Sequence, residues 1–251
     1  MKKRSQIFIF VLAAIVFLAI IFTSVYFSGS KTEKKDSENV SNLPGKIQLP
    51  GNDEKIYSSL DNEAFSDVHS YPEISHQTVK SLLSSLSTPE IYYWYYNSTI
   101  ISSSKERTVN GIMKFNNGSY MIENFAGSSD GALLKTIIEE NGVVTVQTYN
   151  NARTSTAEFD SSSTNAFIEA GVPDITTFLS DEGENFNYSL HDSEYGKILY
   201  AEFVSEKNSY SQEQRYYISL DFGIVIKAEC YENGHLVYDL STITLYELDN
   251  A

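Results

Sequence analysis

Residues 7–27 read IFIFVLAAIVFLAIIFTSVYF, twenty-one positions without a charge and with only Thr23 and Ser24 polar. As a helix rising about 1.5 Å per residue the stretch covers roughly 31 Å, the hydrocarbon depth of a bilayer. Lys2, Lys3 and Arg4 stand directly before it. A basic cluster on that side keeps residues 1–6 inside and sends the remainder out. Lys31, Lys34 and Lys35 follow the span but are interleaved with Glu33, Asp36 and Glu38. A cleaved signal peptide is the competing reading, with a small-residue site at Ser28-Gly29-Ser30. The apolar run exceeds the ~7–15 residues of a signal-peptide core, which favours an uncleaved anchor. The expected location is therefore the cell membrane, single-pass, with the C-terminal part extracytoplasmic.

Charge and cysteine then bound the outer part. Lys2, Lys3 and Arg4 account for three of the 18 basic residues, and no acid precedes Glu33. Beyond the span that leaves 15 basic against 33 acidic residues, a net −18. Such a surface repels nucleic acid and anionic headgroups. The single cysteine, Cys230, allows no internal disulfide, so stability has to come from an apolar core.

Residues 28–69 are polar, with isolated apolar positions such as Leu43, Ile47 and Leu49. That composition buries too little surface to offset ordering entropy and reads as a disordered stalk. Residues 70–251 read as one β-rich domain. Over 75–87, Val79, Leu82, Leu83 and Leu86 form a single helical stripe that Ser75 caps and Pro89 ends. From Glu90 the period changes to two, and Ile91–Tyr96 is aromatic on both faces. Asn110-Gly111, Asn117-Gly118, Asn141-Gly142 and Asn233-Gly234 are hairpin-turn signals, because both residues accept positive φ. Strands are expected at 111–116, 119–125, 133–139, 143–149 and 154–159. A helical insert follows at 163–180, closed in its first part by Gly171 and reopened by Pro173. Strands resume at 186–190, 197–204, 215–221, 223–231 and 236–246. The count is roughly ten strands and three helices, an α+β arrangement.

The run from Tyr216 to Tyr238 is the most informative: YYISLDFGIVIKAECYENGHLVY. A strand closes on Asp221 and a Gly223 turn. Then come Gly223-Ile224-Val225-Ile226-Lys227 and a second turn at Asn233-Gly234. This pattern, with the order helix, aromatic strand, meander, helical insert and returning strands, resembles the LolA-like lipoprotein-carrier superfamily. The resemblance implies a curved, half-open antiparallel β-barrel with helices in its concave face. It further implies a hollow able to hold an acyl chain or lipoprotein. An anchored chain of that fold would not diffuse between two membranes. The residues expected to line the hollow are Tyr92, Trp94 and Tyr96 on the aromatic strand, with Leu199, Phe203, Ile218 and Ile226. For the three rings, packing beneath the first helix is the competing reading. Expected partners are the membrane, a lipid or lipoprotein, and an envelope protein, without nucleic acid. The alternative function is a structural or regulatory interaction domain whose barrel is filled by its own helices.

Catalytic and metal patterns are weak. Gly127-Ser128-Ser129-Asp130-Gly131 matches GxSxG, but it falls between meander strands instead of a parallel strand and a helix. Ser102-Ser103-Ser104-Lys105 matches SxxK without its companion motifs. His69, His76, His191 and His235 share no ligand spacing, and Asp181-Glu182-Gly183-Glu184 lacks the calcium-loop pattern. No enzyme, metal or cofactor is expected. On strand 223–231, period two places Ile224, Ile226, Ala228 and Cys230 on the core face. Val225, solvated Lys227, solvated Glu229 and Tyr231 then face outward.

Overall fold

The computed structural model describes residues 57–58, 71–102, 105–128, 130–150, 153–193, 196–207 and 209–248. The expected anchor at 7–27 and most of the stalk at 28–69 lie outside the described residues. Among those described, no helix is long and apolar enough to cross a membrane.

The domain is one antiparallel sheet with few helices. In chain order the strands are β1 (Tyr57–Ser58), β2 (Glu73–Ile74), β3 (Ile91–Ser102), β4 (Lys105–Asn116), β5 (Ser119–Ala126), β6 (Leu133–Glu140) and β7 (Val143–Asn150). They continue as β8 (Arg153–Asp160), β9 (Asn187–Ser193), β10 (Gly196–Lys207), β11 (Tyr210–Ser219), β12 (Ile224–Glu232) and β13 (His235–Glu247). Helix α1 is His76–Ser84, α2 is Ala166–Ala170, α3 is Thr176–Leu179, and a 3-10 turn covers Asp181–Asn185. Spatial order runs β2-β9-β10-β11-β12-β13-β3-β4-β5-β6-β7-β8, with β1 attached to β13. The sheet is not closed: β2 and β8 stand at its ends.

Local chemistry accounts for most boundaries. The Ser75 hydroxyl accepts the Thr78 amide at the start of α1, and Val79 and Leu83 bury the helix stripe. Gly171 takes φ 76° and closes α2. Asn117-Gly118, Asn141-Gly142 and Asn233-Gly234 all hold positive φ at both residues, the geometry of a type I′ hairpin. The GxSxG match falls in the link between β5 and β6; Ser129 itself lies outside the described residues.

Four expectations are corrected. Asn110-Gly111 is no turn; it lies inside β4, which pairs with β3 without interruption from Ile91↔Asn116 to Ser102↔Lys105. The glycine serves packing: a Cβ there would lie 1.9 Å from Cζ of Tyr96. Strand β11 begins at Tyr210, five residues ahead of the expected start, because Gln212, Glu213 and Gln214 hide the period of two. Helix α3 starts at Thr176, three residues beyond Pro173. Finally, period two fails in β12. Tyr217 pairs with Lys227 while Ile218 pairs with Val225, so Ile226 is an extra residue in a bulge. Val225, expected outside, is therefore 1% exposed. Lys227 and Glu229 keep the expected face, but their side chains are 12% and 19% exposed instead of solvated because they pair there beside the Tyr217 ring.

The main core lies on the face that carries the helices. It joins Trp94, Tyr92 and Met113 of the central strands, Ile122, Ile137 and Val144 farther along, and Leu199 and Ile218 on the returning strands. A smaller cluster of Tyr93, Ile112, Phe125 and Tyr246 occupies the opposite face of β13-β3-β4-β5, where Tyr93 and Tyr246 stack at 5.4 Å. The aromatic strand is thus buried on both sides.

Candidate functional site

Directly opposed residues in antiparallel strands share a face, so the pairing registers sort the helix-bearing face into rows. Leu245, Trp94, Met113, Ile122, Ile137 and Val146 form one row, and Thr242, Tyr96, Gly111 and Asn124 the next. Then come Ala201, Tyr216, Ala228, Leu240 and Ser98. The last apolar row is Phe203, Gln214, Cys230, Tyr238 and Ile100, near the tips of three long hairpins.

Burial changes along these rows. Trp94 and Tyr96 are fully buried, as are Leu199 and Ile218; Tyr92 is 1% exposed and Ile226 2%. Phe203 alone of the seven expected hollow-lining residues is half-buried, together with every other member of its row. The structure thus brings Tyr92, Trp94, Tyr96, Leu199, Ile218 and Ile226 into one sealed core and leaves Phe203 at its rim.

The helical insert seals the deeper rows, and β5, β6 and β13 hold it. Asn124 donates through Nδ2 to the Ala170 carbonyl at 3.0 Å and accepts the Tyr96 hydroxyl at 3.0 Å. Lys135 Nζ donates to the Glu169 carbonyl, so three consecutive residues of the α2 end and cap, Glu169 to Gly171, accept side-chain bonds. The third donor is the Tyr238 hydroxyl, 3.3 Å from the Gly171 carbonyl. Glu139 accepts the first helical amide, that of Ala166. These bonds satisfy groups that a five-residue helix leaves open. On the other side, His76 Nε2 lies 2.9 Å from the Phe178 carbonyl and its ring stacks on Tyr188. His191 stacks on Tyr71 at 3.9 Å, and His235 is exposed. His69 lies outside the described residues.

The rim is neutral as far as Ile100, which Arg107 opposes at the row's exposed end. The Phe186 ring lies 5.7 Å from Phe203 and 5.9 Å from Tyr216. The Tyr216 hydroxyl donates to Gln214 and lies 3.9 Å from Cys230 Sγ. Burial pushes the Cys230 thiol up to about 11, and it pushes the Tyr216 and Tyr238 phenols well above their ordinary value. Thiol and phenols are therefore protonated at neutral pH. Such a rim offers rings, weak donors and an amide, with the exposed guanidinium of Arg107 at its β4 end and no activated nucleophile. No group of three or more His, Cys, Asp or Glu able to hold a metal occurs among the described residues.

Across the sheet, the opposite face of β10–β13 is charged. Arg215 pairs with Glu213, Glu202 and Glu229, and Lys227 with Glu229 at 3.3 Å. Phe203 was among the expected lining residues, whereas Tyr216 and Tyr238 could not be told from ordinary strand residues in the sequence. Only the alternation of apolar residues marks them, and it does not say where the helical cover stops.

No family model and no curated protein matches the chain. Its fold has a distant structural neighbour. That neighbour is a DUF1329 family protein from Desulfovibrio piger, 11% identical, with a TM-score of 0.33 over 70% of this chain and 93% of the other.

Proposed function

We propose that residues 70–251 form a non-enzymatic, extracytoplasmic half-barrel domain of LolA-like type, held at the membrane by residues 7–27. In this reading the rim beyond the helical insert receives an apolar ligand, an acyl chain or the lipid part of a lipoprotein. One observation carries it: the row Phe203, Gln214, Cys230, Tyr238 and Ile100 is half-buried, carries no charge before it ends at exposed Arg107, and is continuous with a sealed apolar face. Apolar surface placed beside a few weak donors suits a chain-like ligand. A photoreactive diazirine fatty acid bound to the full-length chain should label peptides carrying Phe203 and Tyr238. Labelling confined to residues 7–27 removes the ligand and leaves the second reading. That second reading, a structural or regulatory envelope domain with a self-filled barrel, is favoured by the sealing of Tyr92, Trp94, Tyr96, Leu199, Ile218 and Ile226.

A further inference from the structure

Strand β8 ends the sheet, and all eight of its residues are exposed. Its register with β7 runs without a bulge from Val143↔Asp160 to Asn150↔Arg153. The Ser161 amide donates to the Gly142 carbonyl, one step beyond that register. Antiparallel bonding alternates along a strand, so Arg153, Ser155, Ala157 and Phe159 spend their backbone groups on β7. Those of Thr154, Thr156 and Glu158 point away from the sheet.

Exposed edges are ordinarily blunted by proline, lysine, a bulge or an inward charge. β8 reads RTSTAEFD and has no proline, lysine or bulge; its one inward-facing charge, Arg153, stands at its first position. The apolar lining of the helix-bearing face also runs out to this edge. Val144 pairs with Phe159 and Val146 with Ala157, and Phe159 is 39% exposed.

We propose that β8 pairs antiparallel with β8 of a second copy of this chain, with Thr156 on the two-fold axis. Two antiparallel strands that continue one sheet must match like faces, which centres the pairing on a residue. Centring on Thr156 sets Thr154 against the other copy's Glu158, and both present free backbone groups. Ser155 then meets Ala157, and Arg153 falls over the ring of Phe159, a cation–π contact. Thr156 meets its own counterpart. No like charges oppose each other, although β8 carries Arg153, Glu158 and Asp160. The chain's net charge of −15 opposes association at long range. At about 0.15 M salt a Debye length of ~8 Å confines that repulsion, while the edge bonds form at contact.

The test uses the full-length chain in detergent, followed by sedimentation velocity at that salt. Wild type should be dimeric. Thr156→Lys and Thr156→Asp should each be monomeric, since either sets like charges across the axis. An equal mixture of the two should form a dimer again. A monomeric wild type, a dimeric single variant, or a mixture that stays monomeric overturns the proposal. Disulfide capture in a Cys230→Ser background gives a second readout. Opposed Cα atoms at roughly 5.5 Å are within disulfide reach, so Thr156→Cys should cross-link under mild oxidation. Thr154→Cys, whose counterpart would lie roughly 13 Å away along the strand, should not. Equal cross-linking of both, or of neither, overturns the register and the proposal with it.

Discussion

At the residue scale, Cys230 shows how position sets chemistry. Its thiol lies 3.9 Å from the Tyr216 hydroxyl near the tip of the covered face, and burial holds it protonated up to about 11. An unfolded thiol ionises near its ordinary value, about 8.5. Between that pH and 11 the unfolded chain releases a proton that the folded chain keeps. The stability this group confers is therefore complete below the unfolded value and is lost as pH rises through the folded one. Folded protein at pH 8 should react with iodoacetamide far more slowly than urea-unfolded protein. Cys230→Ala should flatten the loss of stability between pH 8.5 and 10, measured by urea titration at each pH. Equal alkylation of both states would show the thiol to be open to solvent. A small strand residue between apolar neighbours was legible in the sequence as a core hydrophobe. Its place at the rim was not, because the neighbour that shields it, Tyr216, lies on another strand.

At the scale of elements, turns were legible where the backbone alone decides and obscure where packing does. Three Asn-Gly pairs turn the chain because both residues take positive φ. The fourth, Asn110-Gly111, has the same letters but a different cause: Tyr96 crosses the strand there, and only glycine leaves room for its ring. Nothing local distinguishes the two cases, since the ring comes from a strand paired to β4. The bulge in β12 is of the same kind. Thr242 donates to the Ile226 carbonyl at 2.6 Å, and Thr242 belongs to β13. The bulge turns Val225 onto the face of Ile218 and leaves Lys227 on the charged face, 5.2 Å from the Tyr217 ring and beside Glu229. Asp239, paired with Glu229, has its carboxyl raised by burial first and by Glu229 next, with Lys227 opposing. Lys227→Asp removes that opposition and sets three carboxylates together. We expect a loss on the order of 3 kcal/mol at pH 7, since breaking a poorly solvated pair strands its partner. The deficit should shrink as pH falls from 7 towards 5, because carboxyls held above their unfolded value take up protons in the folded state first. Lys227→Met, which keeps the stem over Tyr217, should cost less. Thermal melts at both pH values check this, and a Lys227→Asp melt equal to wild type would return Lys227 to solvent.

At the scale of the whole molecule, the question is whether the helical insert belongs to the core or only covers it. Helices of five and four residues are too short to persist alone. They depend on side chains reaching up from the sheet, and Asn124 links two of the layers. It accepts from Tyr96 in the aromatic strand and donates to the end of α2. Asn124→Ala leaves the Tyr96 hydroxyl and the Ala170 carbonyl without these partners, each at about 1–3 kcal/mol if water stays out. If the insert opens as its own unit, water reaches both groups by local opening and the sheet is spared. Amides of 166–171 should then exchange faster by roughly 30-fold, the equivalent of about 2 kcal/mol. Amides of β3 and β4 should keep wild-type protection. Newly bared apolar surface from Trp94 to Ile137 should bind anilinonaphthalene sulfonate. If instead the insert is integral, exchange accelerates equally in α2, β3 and β4, and the melting temperature falls with no dye binding before unfolding. A cover that opens alone gives an apolar ligand a route from the Phe203 rim to the sealed rows beneath. A cover that opens only with the sheet confines any ligand to the rim.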